Sequence, residues 1–242
     1  ITYVGIDYED LIKYNRLSSF IFWKKYYFSY LNYILKKSDL IFARGNKILS
    51  FCKQFNNNVS ITNPIGWNFK KDLNYQEFQN NLINSSKLNI LFIGKVIKEK
   101  GIFNLIDAFI KLKSEFPKKN LNLDIVGDGK ELEIIKKNFC DISLNAHGWI
   151  DDETKIFNLL DNSSILVCPT LPGYPEGVPR VIDEALNFSK LVVASNVGGI
   201  NEEFIDESII LYNPKNPNQL LITLRQILKN EINLDKYYQS MQ

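Results

Sequence analysis

Cysteine, histidine and methionine are scarce in this chain: three, one and one among 242 residues. Cys52, Cys140 and Cys168 are an odd, widely spaced set, which excludes a disulfide framework and a zinc site and points to a reducing compartment. The lone His147 rules out a His-Glu-x-x-His metal helix and leaves Cys168 without an evident base nearby. Net charge is also nearly absent, at +2, so bulk electrostatics calls for no nucleic acid. No run of about 18 apolar residues exists, because Lys24 and Lys25 interrupt the nearest candidate, 20–35. No basic region followed by an apolar core and a cleavage site marks a signal peptide. Walker-type and Gly-x-Ser-x-Gly motifs and an Asp-x-Asp metal triplet are missing too. The expected location is the cytoplasm. The chain opens on Ile1, without Met and directly on a strand-like run, which suggests a fragment.

What is present is an ordinary globular composition, 45% hydrophobic and 23% charged. The length suits one large domain or one and a half. Residues 1–6 read as a short strand. Residues 16–37 are dense in aromatics and lysine, with apolar groups at 20, 23, 27, 30, 31 and 34 in helical spacing. Two readings stay open for this helix: packing on its own domain, or a basic aromatic surface making peripheral contact with the inner face of a membrane. A strand at 40–43, a helix at 47–55 and a strand at 59–62 follow, closed by Pro64 and Gly66. Residues 67–87 are polar and Asn-rich and read as a linker with one helix near 75–83. From Leu88 the pattern alternates: strands at 89–94, 121–126, 142–147, 165–168, 191–195 and 209–212, with helices at 101–116, 130–139, 152–161, 178–187, 200–205 and 216–229 between and after them. Such alternation predicts an α/β fold with a doubly wound parallel sheet over 88–230. Residues 231–242 read as a C-terminal tail.

The chain's centre is the stretch 165–199, a strand, a loop rich in Gly and Pro, a short helix and a second strand. Pro179 suits a first helical turn, and Val178, Val181, Ile182, Ala185 and Leu186 form its apolar stripe. Glu184 falls off that stripe, about 9 Å along the axis from Val178, while Glu176 stands before the helix. A diphosphate at the helix start would have one carboxylate on each side of it. Plain solvated glutamates fit as well. Gly94-Lys95-Val-Ile-Lys98-Glu-Lys100-Gly101 follows the first strand of the alternating region, where glycine admits close approach and lysine meets phosphate as a point charge. A solvated loop is the plainer reading. Val126-Gly127-Asp128-Gly129 begins like a dinucleotide fingerprint, but Leu132 replaces the third glycine and His147 stands where the acidic residue belongs, so that fingerprint is rejected. Asn196-Val197-Gly198-Gly199-Ile200 reads as a tight turn into a helix. His147 reads as a structural group.

Taken in order, Ile-Leu-Phe-Ile-Gly-Lys-Val-Ile-Lys-Glu-Lys-Gly, Leu-Asp-Ile-Val-Gly-Asp-Gly, His-Gly-Trp-Ile, Glu-Gly-Val-Pro-Arg-Val-Ile-Asp-Glu-Ala and Val-Val-Ala-Ser-Asn-Val-Gly-Gly-Ile resemble the C-terminal domain of family 4 retaining glycosyltransferases. The resemblance covers 88–229. Residues 1–66 look like the tail of that family's N-terminal domain, through Lys-Ser-Asp-Leu-Ile-Phe-Ala. It implies a GT-B fold: two Rossmann-like domains, the second truncated here, with a nucleotide sugar in the cleft between them.

By the same resemblance Glu176 would face the transferred sugar and Glu184 would hold the ribose. Lys95 and Lys100 would neutralise the diphosphate, Lys95 standing where arginine is more usual. Gly94 and Gly127 count among the donor-binding positions, and Gly177, Val178, Pro179, Arg180 and Val181 would present the loop and helix start to phosphate and sugar. Pro179 replaces a common glycine and removes one N–H. Trp149 and Ile150 would lie near the nucleobase. The implied reaction moves a hexose-type sugar from a UDP- or GDP-sugar to a glycan or lipid-linked acceptor, with retention and without a cofactor, in cell-envelope polysaccharide assembly. Two alternatives stay open: a nucleotide-sugar-binding module without turnover, since the acceptor half is largely missing, and a nucleotide-sugar epimerase on the same two-domain plan.

Overall fold

A computed structural model of the chain describes residues 2–4, 21–43, 46–61, 75–80, 82, 87–139, 142–204 and 208–241. Cys140, the expected helix start at 16–20 and most of the expected linker lie outside them. Two compact units result: Ile1–Gly66 with Pro172–Arg180 and Val197–Ile205, and Trp67–Leu171 with Val181–Asn196 and Asp206–Gln242.

The smaller unit holds a parallel sheet in the order β1 (Thr2–Val4), β2 (Ile41–Ala43), β3 (Val59–Ile61). Thr2 lies opposite Ile41, and Ile41 opposite Val59. Parallel neighbours need crossovers, which α1 (Ile21–Lys37) and α2 (Asn46–Lys53) supply. Leu31, Leu35, Ile41, Ala43, Ile48 and Cys52 form its core. The end of α1 is closed by side chains: Asn56 Nδ2 donates to the Leu35 carbonyl at 2.8 Å and the Ser38 carbonyl at 2.6 Å, and Ser38 Oγ donates to Ile34 O at 2.8 Å. These satisfy carbonyls that a helix end leaves open.

The expected apolar stripe of α1 is corrected here. Among the described residues the expected Leu31 is buried, together with Leu35, and Ile34 is half-buried, whereas Tyr27 and Tyr30 are exposed, along with Tyr26 and Tyr33. Leucine gains more than tyrosine from full burial, since a buried hydroxyl needs a partner. The helix therefore turns its leucines inward.

The larger unit is a six-stranded parallel sheet in the order β6-β5-β4-β7-β8-β9. Its strands are β4 (Lys87–Ile93), β5 (Asn120–Val126), β6 (Leu144–Gly148), β7 (Ile165–Cys168), β8 (Leu191–Ser195) and β9 (Ile210–Tyr212). Numbered from β4, the order is 3-2-1-4-5-6, the Rossmann order. β7 and β8 are buried at every residue, which explains their unbroken apolar runs: both faces are covered. One face, with Ile90, Phe92, Leu123, Ile125, Ile165, Val167, Leu191 and Val193, packs in a single core with α4 (Ile102–Glu115), α5 (Leu132–Asn138) and α9 (Gln219–Leu228). The order of succession reverses between β4 and β7 while the strands stay parallel. With right-handed crossovers, the later helices α6 (Glu153–Asn162) and α7 (Arg180–Asn187) fall on the opposite face. Asp152 caps α6, its carboxylate accepting from Thr154 N–H at 2.9 Å.

α7 begins at Arg180, two residues later than expected, so Pro179 precedes the helix rather than opening it. The expected tail is a helix, α10 (Asp235–Met241). Leu234 and Tyr237 are buried in the main core, and the Tyr238 ring packs at 5.3 Å on Tyr75 and 5.7 Å on Phe78 of α3 (Tyr75–Gln79). Remaining short is α8 (Ile200–Glu203).

Candidate functional site

All six strands of the larger sheet run the same way, so their C-terminal ends form one edge, and the order reverses at β4/β7. Ligands of open α/β sheets sit at such a point. Here the turn after β4 meets the loop after β7. Lys98–Lys100 form one 3-10 turn, closed by Gly101 N–H donating to Lys98 O at 2.9 Å. Leu171 N–H donates to Glu99 O at 2.9 Å. Gly101 has φ +71, and a Cβ there would stand 1.8 Å from Pro169 O. Only glycine allows this junction.

A second close approach joins the ends of β4, β5 and β6. Gly94 N–H donates to Val126 O at 3.0 Å, Val96 N–H to Asp128 O at 2.8 Å, and Gly127 N–H to Gly148 O at 2.8 Å. Gly127 has φ +128, and its added Cβ would lie 1.9 Å from Gly94 O; at Gly129 the clash would be with Val96 O, at 2.2 Å. Gly127 and Gly129 thus serve main chain against main chain. Gly94 differs: a Cβ would meet only the Phe92 ring, at 3.5 Å, an ordinary contact.

These turns carry the cations. Lys95 and Lys98 are exposed and Lys100 is half-buried, and Lys130 lies 3.5 Å from Glu99. Trp149 follows β6, two strands from β4, and is 73% exposed; Ile150 beside it is half-buried. On α7, Val181, Ile182 and Ala185 are buried, and Glu184 is half-buried off that stripe, as the wheel requires. The larger unit therefore gathers Gly94, Lys95, Lys100, Gly127, Trp149, Ile150, Val181 and Glu184.

Glu176, Gly177, Val178, Pro179 and Arg180 group with the smaller unit. Glu176 is half-buried, its N–H donating to Tyr174 O at 2.8 Å and its carbonyl accepting from Gly199 N–H at 3.0 Å. Val178 is buried and Arg180 exposed. His147 is held at the sheet edge: its Nε2 lies 2.7 Å from Asp124 Oδ1, which also accepts from Asn145 Nδ2 at 3.0 Å. That network makes it a satisfied structural histidine.

Sequence reasoning missed Pro169, Gly101 as a junction and Asp124 as the histidine's partner. It left Gly198 and Gly199 as a turn, although they lie against the Glu176 and Gly177 main chain and the Val178 side chain. A glycine directly before a helix was the available signal for Gly101; the contacts of the others are remote in sequence.

The family model for glycosyl transferases group 1 matches residues 75–241. The chain belongs to this family. It is 31% identical over 147 residues to an uncharacterized glycosyltransferase of Methanocaldococcus jannaschii, covering 58% of this chain and 38% of that one. It is 25% identical over 215 residues to TuaC of Bacillus subtilis, named for teichuronic acid biosynthesis, covering 85% and 52%. It is 30% identical over 167 residues to protein CapJ of Staphylococcus aureus, covering 67% and 40%. The chain spans about half, or less, of the length of these relatives. The crystal structure of WaaG, a glycosyltransferase involved in lipopolysaccharide biosynthesis, superposes with a TM-score of 0.71 at 16% identity, over 99% of this chain and 68% of that one. The fold is α/β of the GT-B type.

Proposed function

We propose that this group 1 glycosyltransferase chain binds a UDP- or GDP-sugar and belongs to an enzyme that transfers its hexose, with retention, to a glycan or lipid-linked acceptor. The observation that carries this reading is the lysine-bearing turn Gly94–Gly101, fastened to the post-β7 loop at the switch point of the Rossmann-ordered sheet. Lys95 and Lys100 supply positive charge there for a departing diphosphate, which is the dominant electrostatic need of such a transfer. Trp149 stands two strand spacings away, about 10 Å, a span that suits a nucleobase joined to a diphosphate. Glu184 then takes the ribose hydroxyls and Glu176 the sugar. Gly94 and the segment Gly177–Val181 border phosphate and sugar. The names of TuaC and WaaG support a place in cell-envelope polysaccharide assembly.

Calorimetry with bare UDP and GDP tests the donor half. One of them should bind, and Glu184→Gln should weaken it roughly tenfold, the worth of a charged hydrogen bond. A folded chain giving no heat with either nucleotide sinks the reading. Nucleotide binding without turnover by the full-length protein would favour a binding module, and conversion of labelled donor without an acceptor would favour an epimerase.

The exposed side of α1 favours a peripheral membrane contact as well. Tyr26, Tyr30 and Tyr33 recur at helical spacing, 69%, 56% and 60% exposed, and Lys36 and Lys37 end the helix. No acidic residue occurs between 21 and 37. Such a surface suits an anionic lipid interface. The chain should sediment with phosphatidylglycerol vesicles and not with phosphatidylcholine vesicles, and Tyr30→Ser with Tyr33→Ser should lower the bound fraction several-fold. Equal sedimentation of the variant counts against this contact.

A further inference from the structure

We propose that Gly198 and Gly199 are positioning residues, forming a turn after β8 that fixes the main chain at Glu176 and thereby sets where this carboxylate stands. The inference rests on Glu176 facing the donor sugar, as proposed above. Segment 172–180 lacks regular structure up to Arg180 and contains Pro172, Pro175 and Pro179. Three of its nine residues therefore have no N–H with which to anchor the main chain. Within it, Glu176 N–H donates to Tyr174 O at 2.8 Å. The Glu176 peptide is also gripped from across the turn, where Gly199 N–H donates to Glu176 O at 3.0 Å.

Both glycines are required by geometry. Gly198 has φ +52, a conformation that side chains rarely adopt, and a Cβ there would lie 2.1 Å from Glu176 O and 3.2 Å from Glu176 Cβ. At Gly199 an added Cβ would lie 3.1 Å from Gly177 C and 3.3 Å from Val178 Cγ2. The turn is thus in van der Waals contact with the two peptides that aim the carboxylate. Alanine at 198 must push turn and loop apart by about 1 Å, and a misplacement of that size costs reactions up to roughly 100-fold. Gly173, in the same loop with φ +87, has nothing within 4 Å of its added Cβ. It is the internal control: strain without displacement of Glu176.

The test compares the affinity of the intact chain for UDP-glucose, UDP-N-acetylglucosamine and GDP-mannose with that for bare UDP and GDP. The ratio isolates the sugar's contribution, and calorimetric stoichiometry gives the folded fraction. Glu176→Ala should change the ratio roughly tenfold. Gly198→Ala should change it to a similar degree, leave bare-nucleotide affinity within about twofold, and add little to Glu176→Ala in the double variant. Gly173→Ala should leave the ratio alone. Gly199→Ala, which needs a shift of only a few tenths of an ångström, carries the test if Gly198→Ala fails to fold, and should change the ratio in the same direction by a smaller factor. A ratio that moves with Glu176→Ala but with neither glycine variant overturns this proposal alone. A ratio indifferent to Glu176→Ala overturns the role of Glu176, and the proposal with it.

Discussion

Both units are built by one rule, parallel strands joined by crossover helices, but they follow it to different depths. In the larger sheet β7 and β8 are buried throughout and flanked by neighbours on both sides. In the smaller one β3 is an edge of three residues, Val59 half-buried and Ser60 and Ile61 exposed. Its core is Leu31, Leu35, Ile41, Ala43, Ile48 and Cys52, against a continuous cluster from Phe78 to Tyr237 in the other. Each buried aliphatic or aromatic side chain contributes about 1.5–3 kcal/mol, so among the described residues the larger unit carries most of the apolar burial. The difference bears on the site. Lys95 and Trp149 follow strand ends of the deep sheet closely and Lys100 sits on the 3-10 turn after β4, whereas Glu176 is carried on a proline-rich loop gripped by a glycine turn.

Truncating each core separately gives the largest expected effect. Phe109, fully buried on α4, should cost about 3–5 kcal/mol as Phe109→Ala, lowering the main urea transition. Leu35→Ala, fully buried on α1, should cost about 2–5 kcal/mol within the smaller unit. Native-state hydrogen exchange should then show faster exchange in β2 with β4 and β7 unchanged. Equal loss of protection in both sheets would break the comparison.

A finer test sits in the turns. Gly101→Ala combines the strain of φ +71 with a methyl group driven into Pro169 O, while Gly173→Ala has φ +87 and open space. The strain alone is worth about 1–3 kcal/mol, and Gly101→Ala should exceed it because two loops of the deep unit must separate. Thermal melting of the two variants decides the matter. If they melt together, the junction between the post-β4 and post-β7 turns contributes nothing beyond backbone strain.

How far the sequence foretold this depends on the range of the contacts involved. The runs Ile90–Ile93, Ile165–Val167 and Leu191–Ala194 announced strands because burial on both faces leaves no polar alternation. Glu184 was legible from the wheel alone, since its neighbours Val181, Ile182 and Ala185 need only local periodicity. The tyrosines of α1 were misassigned because helical spacing marks two apolar stripes there, and the choice between them rests on packing with Ile41 and Ile48. The helix at Asp235–Met241 was missed because its stabilising partners, Tyr75 and Phe78, lie more than 150 residues earlier. Gly198 against Glu176 is the same case: a turn motif names its conformation but not the peptide it grips.

The smallest expected effect separates the units by pH. On the larger unit, Arg225 of α9 forks onto Glu115 of α4, Nε to Oε2 at 2.6 Å and the second nitrogen to Oε1 at 2.7 Å. That hydrogen-bonded pairing holds the Glu115 carboxyl below its usual range, against the opposing effect of desolvation. A depressed carboxyl stabilises the folded state above its unfolded value, and this contribution is lost as pH falls through the folded one. The pair is exposed, so the effect is small and screened by salt. On the smaller unit, burial pushes the Cys52 thiol up from 9.0 to about 11. Here the unfolded chain loses its proton first, so stability is present below 9.0 and falls as pH rises toward about 11. Melting curves of wild type, Glu115→Gln and Cys52→Ala should therefore diverge at opposite ends of the scale. The Glu115→Gln difference should close on acidification and in high salt. The alkaline loss of protection in β2 should be reduced in Cys52→Ala, with β4 unaffected. An alkaline loss shared equally by both sheets would mean that the smaller unit does not open on its own.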